Sequence, residues 1–140
     1  MTLEIISVDR RRAYPPRVSA FTRPFWDRLA IGIWRSTCCN NCGKFSFPPK
    51  PVCPHCWSDD VEWKDLSARG KLYSWTRVYA APTAFADETP YELGIVDLDI
   101  GLRIAMRMIR QPDVSIMSGM PMQVVALRYL DGPMFAARPA

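Results

Sequence analysis

Residues 36–57 read STCCNNCGKFSFPPKPVCPHCW and hold all five cysteines of a 140-residue chain. Two pairs of matched spacing stand out, Cys39-x2-Cys42 and Cys53-x2-Cys56, with ten residues between them. A C-x2-C turn aims two sulfurs and several backbone N–H groups at one point, and two such turns close a tetrahedral site with Zn–S bonds of about 2.3 Å. Gly43, directly after Cys42, stands where a knuckle wants a residue that tolerates positive φ. Cys39, Cys42, Cys53 and Cys56 are therefore the expected metal ligands. Cys38 would break the matched spacing and is left as a small, partly buried side chain. His55, between Cys53 and Cys56, should point away from the metal.

Disulfides are the other use for clustered cysteines, and they need an oxidising compartment. An odd cysteine count and the lack of a signal peptide argue against them. Zinc is favoured over iron because nothing nearby suggests an electron-transfer partner. Four protein ligands fill the coordination sphere, so the expected Zn2+ is structural, whereas a catalytic zinc keeps a position open. Its role is to hold a ribbon too small to fold by burial, with an apparent binding free energy of order 10 kcal/mol in comparable peptides. Lys44, Lys50 or Arg35 would ease the net charge near −2 of the four-thiolate site.

Around this cluster, the chain is 49% apolar and long enough for one modest core. It has no apolar run of membrane-spanning length, and Arg10, Arg11 and Arg12 are followed by no apolar stretch, so a soluble, cytoplasmic protein is expected. Lysine and arginine exceed acidic residues by 18 to 14, and the whole excess lies in residues 1–35, where seven arginines face Glu4, Asp9 and Asp27. The basic leader RRRAYPPR reads as part of an extended arm, either solvated or docked on an acidic partner or phosphate-bearing ligand.

A short helix follows in AFTRPFWDRLAIG, with Thr22 as cap, Pro24 in the first turn, Phe25 and Leu29 on one face and Gly32 at the end. Phe25 and Trp26 either pack on the ribbon or face a partner. IWRST, KFSF and VEWKDL supply the ribbon strands. Beyond SARG the pattern turns to period two. In KLYSWTRVYA, Lys71, Tyr73, Trp75, Arg77 and Tyr79 fall on one face, and Leu72, Ser74, Thr76, Val78 and Ala80 on the other. YELGIVDLDIGLRIAMRMI reads as two strands, MQVVALRYL and MFAAR as two more. Five strands in about seventy residues suggest a small closed or nearly closed barrel. The expected units are 1–35, a basic arm and helix; 36–66, the ribbon; and 67–140, the barrel.

A ribbon followed by such a barrel resembles the acyl-CoA-associated family of rubredoxin-like zinc ribbons joined to OB-folds, long catalogued as a domain of unknown function. The resemblance runs from about Phe25 to Ala140. It rests on FWDRL, the C-x2-C-G knuckle, FPPKPVCPHC, GKLYSWTRV, PYELGIVDLDIGLR, SGMPMQVV and FAARPA in that order. It departs at DIGLR, where an acidic residue is expected before the glycine, and at the extra Cys38. The implied fold is mainly β: a short helix and rubredoxin-like zinc ribbon, then a five-stranded OB-fold barrel.

The family implies non-catalytic subunits that bind thiolase-like and ketoacyl-synthase-like enzymes, or acyl-CoA hydratases and aldolases of steroid side-chain breakdown, and help shape an acyl-CoA channel. FPPKPVCPHCW and LYSWTRVYAAPTAFA further resemble small subunits of bacterial multicomponent C-acyltransferases acting on phloroglucinol ketones. The residues agree with a subunit that leaves the chemistry to others. The one histidine sits in a knuckle, so no Ser-His-Asp or Cys-His arrangement has a free imidazole, and no nucleotide-binding glycine motif is present. Contact with such enzymes is expected from Arg10, Arg11, Arg12, Phe25, Trp26 and the 81–90 loop with Phe85, although that loop could equally be plain surface. The remaining alternative is single-stranded nucleic acid stacking on Tyr73, Trp75 and Tyr79 between Lys71 and Arg77. Against it, residues 36–140 carry eleven charges of each sign, with no excess to track phosphates.

Overall fold

A computed structural model describes residues 2–140. The ribbon is a three-stranded sheet, β2 (Arg35–Cys39) flanked by β3 (Phe45–Ser46) and β4 (Val61–Asp65), in the order β3-β2-β4. Five further strands close into a barrel: β5 (Arg69–Val78), β6 (Tyr91–Leu98), β7 (Arg103–Met108), β8 (Pro121–Tyr129) and β9 (Gly132–Pro139). Pairing runs β8-β5-β6-β7-β9, and β8 also pairs β9, which completes the ring and removes the edges of an open sheet. The expected mainly β ribbon-plus-OB-fold architecture is the observed one.

Alternation places Leu72, Val96 and Val124 inside the barrel with no exposure, beside Ile104, Met106 and Met108. Gly70 sits where β5 bonds both Leu98 of β6 and Met122 of β8. A Cβ there would overlap the Asp97 carbonyl, so the crossing needs glycine.

The N-terminal stretch is not a free arm. Ile5–Ser7 form β1, which pairs in parallel with Ala126–Arg128 of β8. Leu3 is buried and its N–H donates to the Gly32 carbonyl at 2.7 Å, while Arg138 bonds Glu4 at 2.7 Å. The helix α1 (Arg23–Leu29) carries Pro24 in its first turn as expected, but the Thr22 side chain does not cap it. Its hydroxyl accepts instead from the Ser19 N–H at 2.9 Å. Gly32, at φ +84°, turns the chain out of the helix, and the Ile33 N–H reaches back to the Arg28 carbonyl at 2.9 Å.

Period two also fails at one point. Between Leu72 and Ser74 the β5–β6 register shifts by an extra residue, so a bulge interrupts the alternation. Leu72 stands opposite the buried Val96, yet beyond the bulge it is Trp75 that stands opposite Gly94 and Arg77 opposite buried Glu92. Trp75 and Arg77 therefore continue the inner face of Leu72, whereas Tyr73 lies outside, under the Arg103 guanidinium at 3.7 Å.

One apolar cluster runs through all three expected units, from Leu3, Phe25 and Trp34 to Leu72 and Val124. At its centre Phe25 meets the rings of Trp26 at 4.9 Å, Phe47 at 5.6 Å, Trp34 at 5.9 Å and Phe135 at 6.4 Å, tying helix, ribbon and barrel together. Trp34 Nε1 adds a hydrogen bond to the Ser67 carbonyl at 3.1 Å.

Candidate metal centre

The first knuckle connects β2 to β3, and the second lies between β3 and β4. Cys39 ends β2, and the chain reverses through Asn40–Gly43, with the Gly43 N–H donating to the Cys39 carbonyl at 2.9 Å and Gly43 at φ +75°. The second knuckle repeats the turn, the Trp57 N–H donating to the Cys53 carbonyl at 2.8 Å. Between them Lys50 N–H bonds the buried Thr37 hydroxyl at 3.0 Å, and the buried Ser36 hydroxyl donates to the Ser46 carbonyl. The proline-rich linker is thus pinned to β2.

The sulfurs of Cys39, Cys42, Cys53 and Cys56 all lie within 4.8 Å of one another. Cys39 and Cys56 are 3.5 Å apart and Cys42 and Cys53 3.6 Å apart. A tetrahedron of about 2.3 Å Zn–S bonds has S···S edges of about 3.8 Å, so the cage has the size the ion demands. Donors already point at the sulfurs. Asn41 and Cys42 N–H face Cys39 at 3.3 and 3.4 Å, His55 N–H faces Cys53 at 3.4 Å, and the Asn41 side-chain amide faces Cys56 at 3.5 Å. Such bonds favour thiolates.

Thiols this close resist ionising together. The Asn41 amide and Ser58 backbone bring Cys56 down to about 6. The Lys44 backbone also favours the Cys42 thiolate, but desolvation and the neighbouring thiols outweigh it and push Cys42 up to about 11. A divalent cation removes that conflict by coordinating all four. With the tetrahedron complete, these residues form a structural zinc site. Cys38 stays outside it: buried, its sulfur is 3.6 Å from the Gly43 carbonyl. Arg35 is diverted to Asp65 at 2.5 Å and does not balance the thiolates.

The other expected site residues separate. Phe25 is only 3% exposed and forms part of the core, so it offers nothing to a partner. Trp26 is half-buried on the same cluster. Arg12 is tied down, its guanidinium donating to the carbonyls of Pro133 at 3.1 Å and Asp131 at 2.9 Å, and its backbone N–H to the Asp131 carboxylate at 2.8 Å. That backbone bond holds the Asp131 carboxyl below its usual range. Arg10 and Arg11 remain exposed. Phe85 is half-buried on a 3-10 turn, Thr83–Glu88, with its ring 6.2 Å from Tyr91. With Arg12, Tyr14 and Phe135 it lines a cavity of about 210 Å3, so the leader and the 81–90 loop do meet.

Around the β5 aromatics Arg103, Arg77 and Arg110 already have partners. Arg103 binds Asp97 at 2.6 Å and keeps its carboxyl low. Arg77 and Arg110 share the buried Glu92 at 3.3 and 2.5 Å. Burial alone would raise the Glu92 carboxyl, but hydrogen bonds from Arg110 and Arg77 carry it below its usual value. No helix among the described residues is long and apolar enough to cross a membrane.

A four-cysteine ribbon on a five-stranded barrel defines a class of two-part zinc-ribbon and OB-fold proteins. The family profile described as the rubredoxin-like zinc ribbon domain of ChsH2 matches residues 26–62, and that of the ChsH2 C-terminal OB-fold domain matches residues 63–127. The chain is 30% identical over 112 residues, 73% of this chain and 79% of the relative, to a DUF35 domain-containing scaffold protein of Methanocaldococcus jannaschii. It belongs to this ChsH2/DUF35 family. It is also 41% identical over 66 residues to the benzoylsuccinyl-CoA thiolase subunit BbsA of Thauera aromatica, a match covering 47% of this chain and 44% of that relative. Among solved structures, a chain of the Ltp2-ChsH2(DUF35) aldolase superposes with a TM-score of 0.75 at 25% identity, covering 89% of this chain and 98% of that one.

Proposed function

We propose that this chain is a non-catalytic scaffold subunit of a thiolase-like acyltransferase complex. It holds thiolase-like and ketoacyl-synthase-like subunits together while an acyl group passes from its acyl-CoA or other donor to a carbon acceptor. The observation that carries this is the consumption of the metal site. Four thiolates leave no open coordination position, and the chain's one histidine, His55, is exposed beside the knuckle with its imidazole bonded to no nucleophile or carboxylate among the described residues. The relatives named as a scaffold protein and a thiolase subunit support the choice of partner. Acyl transfer onto phloroglucinol ketones is the finer form of this proposal, and FPPKPVCPHCW and LYSWTRVYAAPTAFA support it. Exposed Arg10 and Arg11, with half-buried Trp26 and Phe85, are the contacts retained from the sequence.

Co-expression with the thiolase-like and ketoacyl-synthase-like subunits tests this. The expected result is a stable complex by size-exclusion chromatography, acyl transfer by the complex, and none by this chain alone. A chain that stays monomeric beside each enzyme, or turns over an acyl thioester unaided, overturns it. The fit to the Ltp2-ChsH2(DUF35) aldolase favours a second reading, an accessory subunit of an aldolase or acyl-CoA hydratase. Selective assembly with those enzymes would establish it instead.

A further inference from the structure

Among the exposed large apolar side chains of the described residues, Trp57 is the most open, at 80%. It directly follows the last metal ligand and sits at φ +65°, a conformation uncommon for a bulky residue. The Trp57 N–H is tied to the Cys53 carbonyl within the knuckle, while the indole touches no other aromatic ring and belongs to no apolar cluster. Val52 and Pro54 are exposed beside it in sequence. The other exposed aromatics are less open: Tyr14 and Tyr79 are each 71% exposed, Tyr73 54% and Trp75 37%. Tyr73 also lies under the Arg103 guanidinium at 3.7 Å.

Charge at this tip is distinctive as well. By formal count Lys44 and Lys50 cancel Asp59 and Asp60, so the −2 that zinc with four thiolates would carry is uncompensated at this tip, in a chain whose net charge is +4. Cys42 is exposed, bringing the thiolate edge to the surface. A rigid, open indole on a locally anionic tip complements an apolar pocket rimmed by lysine or arginine. Tryptophan in such pockets dominates binding energy, and the charge steers approach.

We infer that the second knuckle is a docking knob, with Trp57 as the anchor that inserts into a cation-rimmed apolar pocket on the thiolase-like subunit. This rests on the scaffold role proposed above and adds the surface through which it acts. Because the metal fixes the turn that carries Trp57, the ion shapes the knob without touching the partner.

The test measures binding of full-length, zinc-loaded chain to the purified thiolase-like subunit by calorimetry, for wild type, Trp57→Ala, Trp57→Phe and, as control, Tyr79→Ala. Zinc content and melting temperature should match wild type in all four. Trp57→Ala should weaken binding by about thirtyfold or more, with Trp57→Phe between it and wild type and Tyr79→Ala unchanged. Wild-type affinity should fall with rising salt. Wild-type affinity in Trp57→Ala overturns the knob while leaving the scaffold role standing. Failure of the wild type to bind overturns both.

Discussion

Barrel and ribbon bury different things. The barrel interior is aliphatic, with Leu72, Val96, Met122 and Val124 withdrawn from water. The ribbon's most withdrawn residues are Ser36, Thr37, Cys38, Cys39, Ser46 and Cys53, hydroxyls and sulfurs rather than hydrocarbon. Burying hydrocarbon drives one region together, at roughly 25 cal/mol per Å2. The other satisfies hydroxyls with backbone groups and depends on an ion to offset its chain entropy. The aromatic box around Phe25 is where the two meet, so they are unequal in origin but share one wall.

Removing the metal gives the sharpest test of that contrast. Chelation, or Cys53→Ser, should abolish zinc binding and remove a contribution of order 10 kcal/mol from the ribbon. Hydrogen exchange should then show protection lost over residues 35–65 and retained in β5 to β9, with the barrel melting at a lower temperature because Phe135 loses its cover. Equal loss of protection in β8 would merge the regions into one cooperative unit. Next in size is Phe25→Ala at the shared wall, expected to cost about 3–5 kcal/mol by denaturant titration. Leu72→Ala should cost about 2–5 kcal/mol while zinc content stays at the wild-type value; a drop in zinc would break the independence claimed for the two interiors.

A smaller effect is expected from the ion cluster on the barrel. The Glu92 carboxyl is depressed in the folded chain, so its stabilisation is complete above the unfolded value of 4.5 and is lost as pH falls through the lower folded value. Glu92→Gln should therefore flatten the acid limb of a stability–pH curve, at a neutral-pH cost on the order of 1–2 kcal/mol because both arginines keep solvent access. Unchanged acid dependence would remove Glu92 from the account. Smallest of all, Cys38→Ala should leave zinc content unchanged and shift stability by no more than about 1 kcal/mol, since its sulfur ligates nothing. Loss of zinc would promote Cys38 to a ligand.

Much of this was legible in the sequence because its signals are local. Two C-x2-C spacings, Gly43 and the alternation in β7 each lie within a few residues. What escaped was carried by distance. The Arg12–Asp131 contact spans 119 residues, and nothing near Arg12 announces it. β1 is a three-residue strand whose only claim to exist is its partner in β8. Phe25 was visible as one face of a short helix, but whether that face met solvent depended on Phe135, far along the chain. Trp57 was overlooked although a bulky residue directly after the last cysteine was the one available signal.

The bulge at Tyr73 has a consequence for insertions and deletions along β5. Every side chain past it carries an address offset by one from the residues before. Deleting Tyr73 itself would restore strict alternation and leave Trp75 opposite Gly94 and Arg77 opposite Glu92, whereas deleting Thr76, beyond the bulge, would send Arg77 to the opposite surface and strand Glu92 without one of its two guanidinium neighbours. A change that shortens the chain by less than one per cent is thus absorbed at the bulge or in the loop before β6, but re-letters the end of the strand when it falls beyond the bulge.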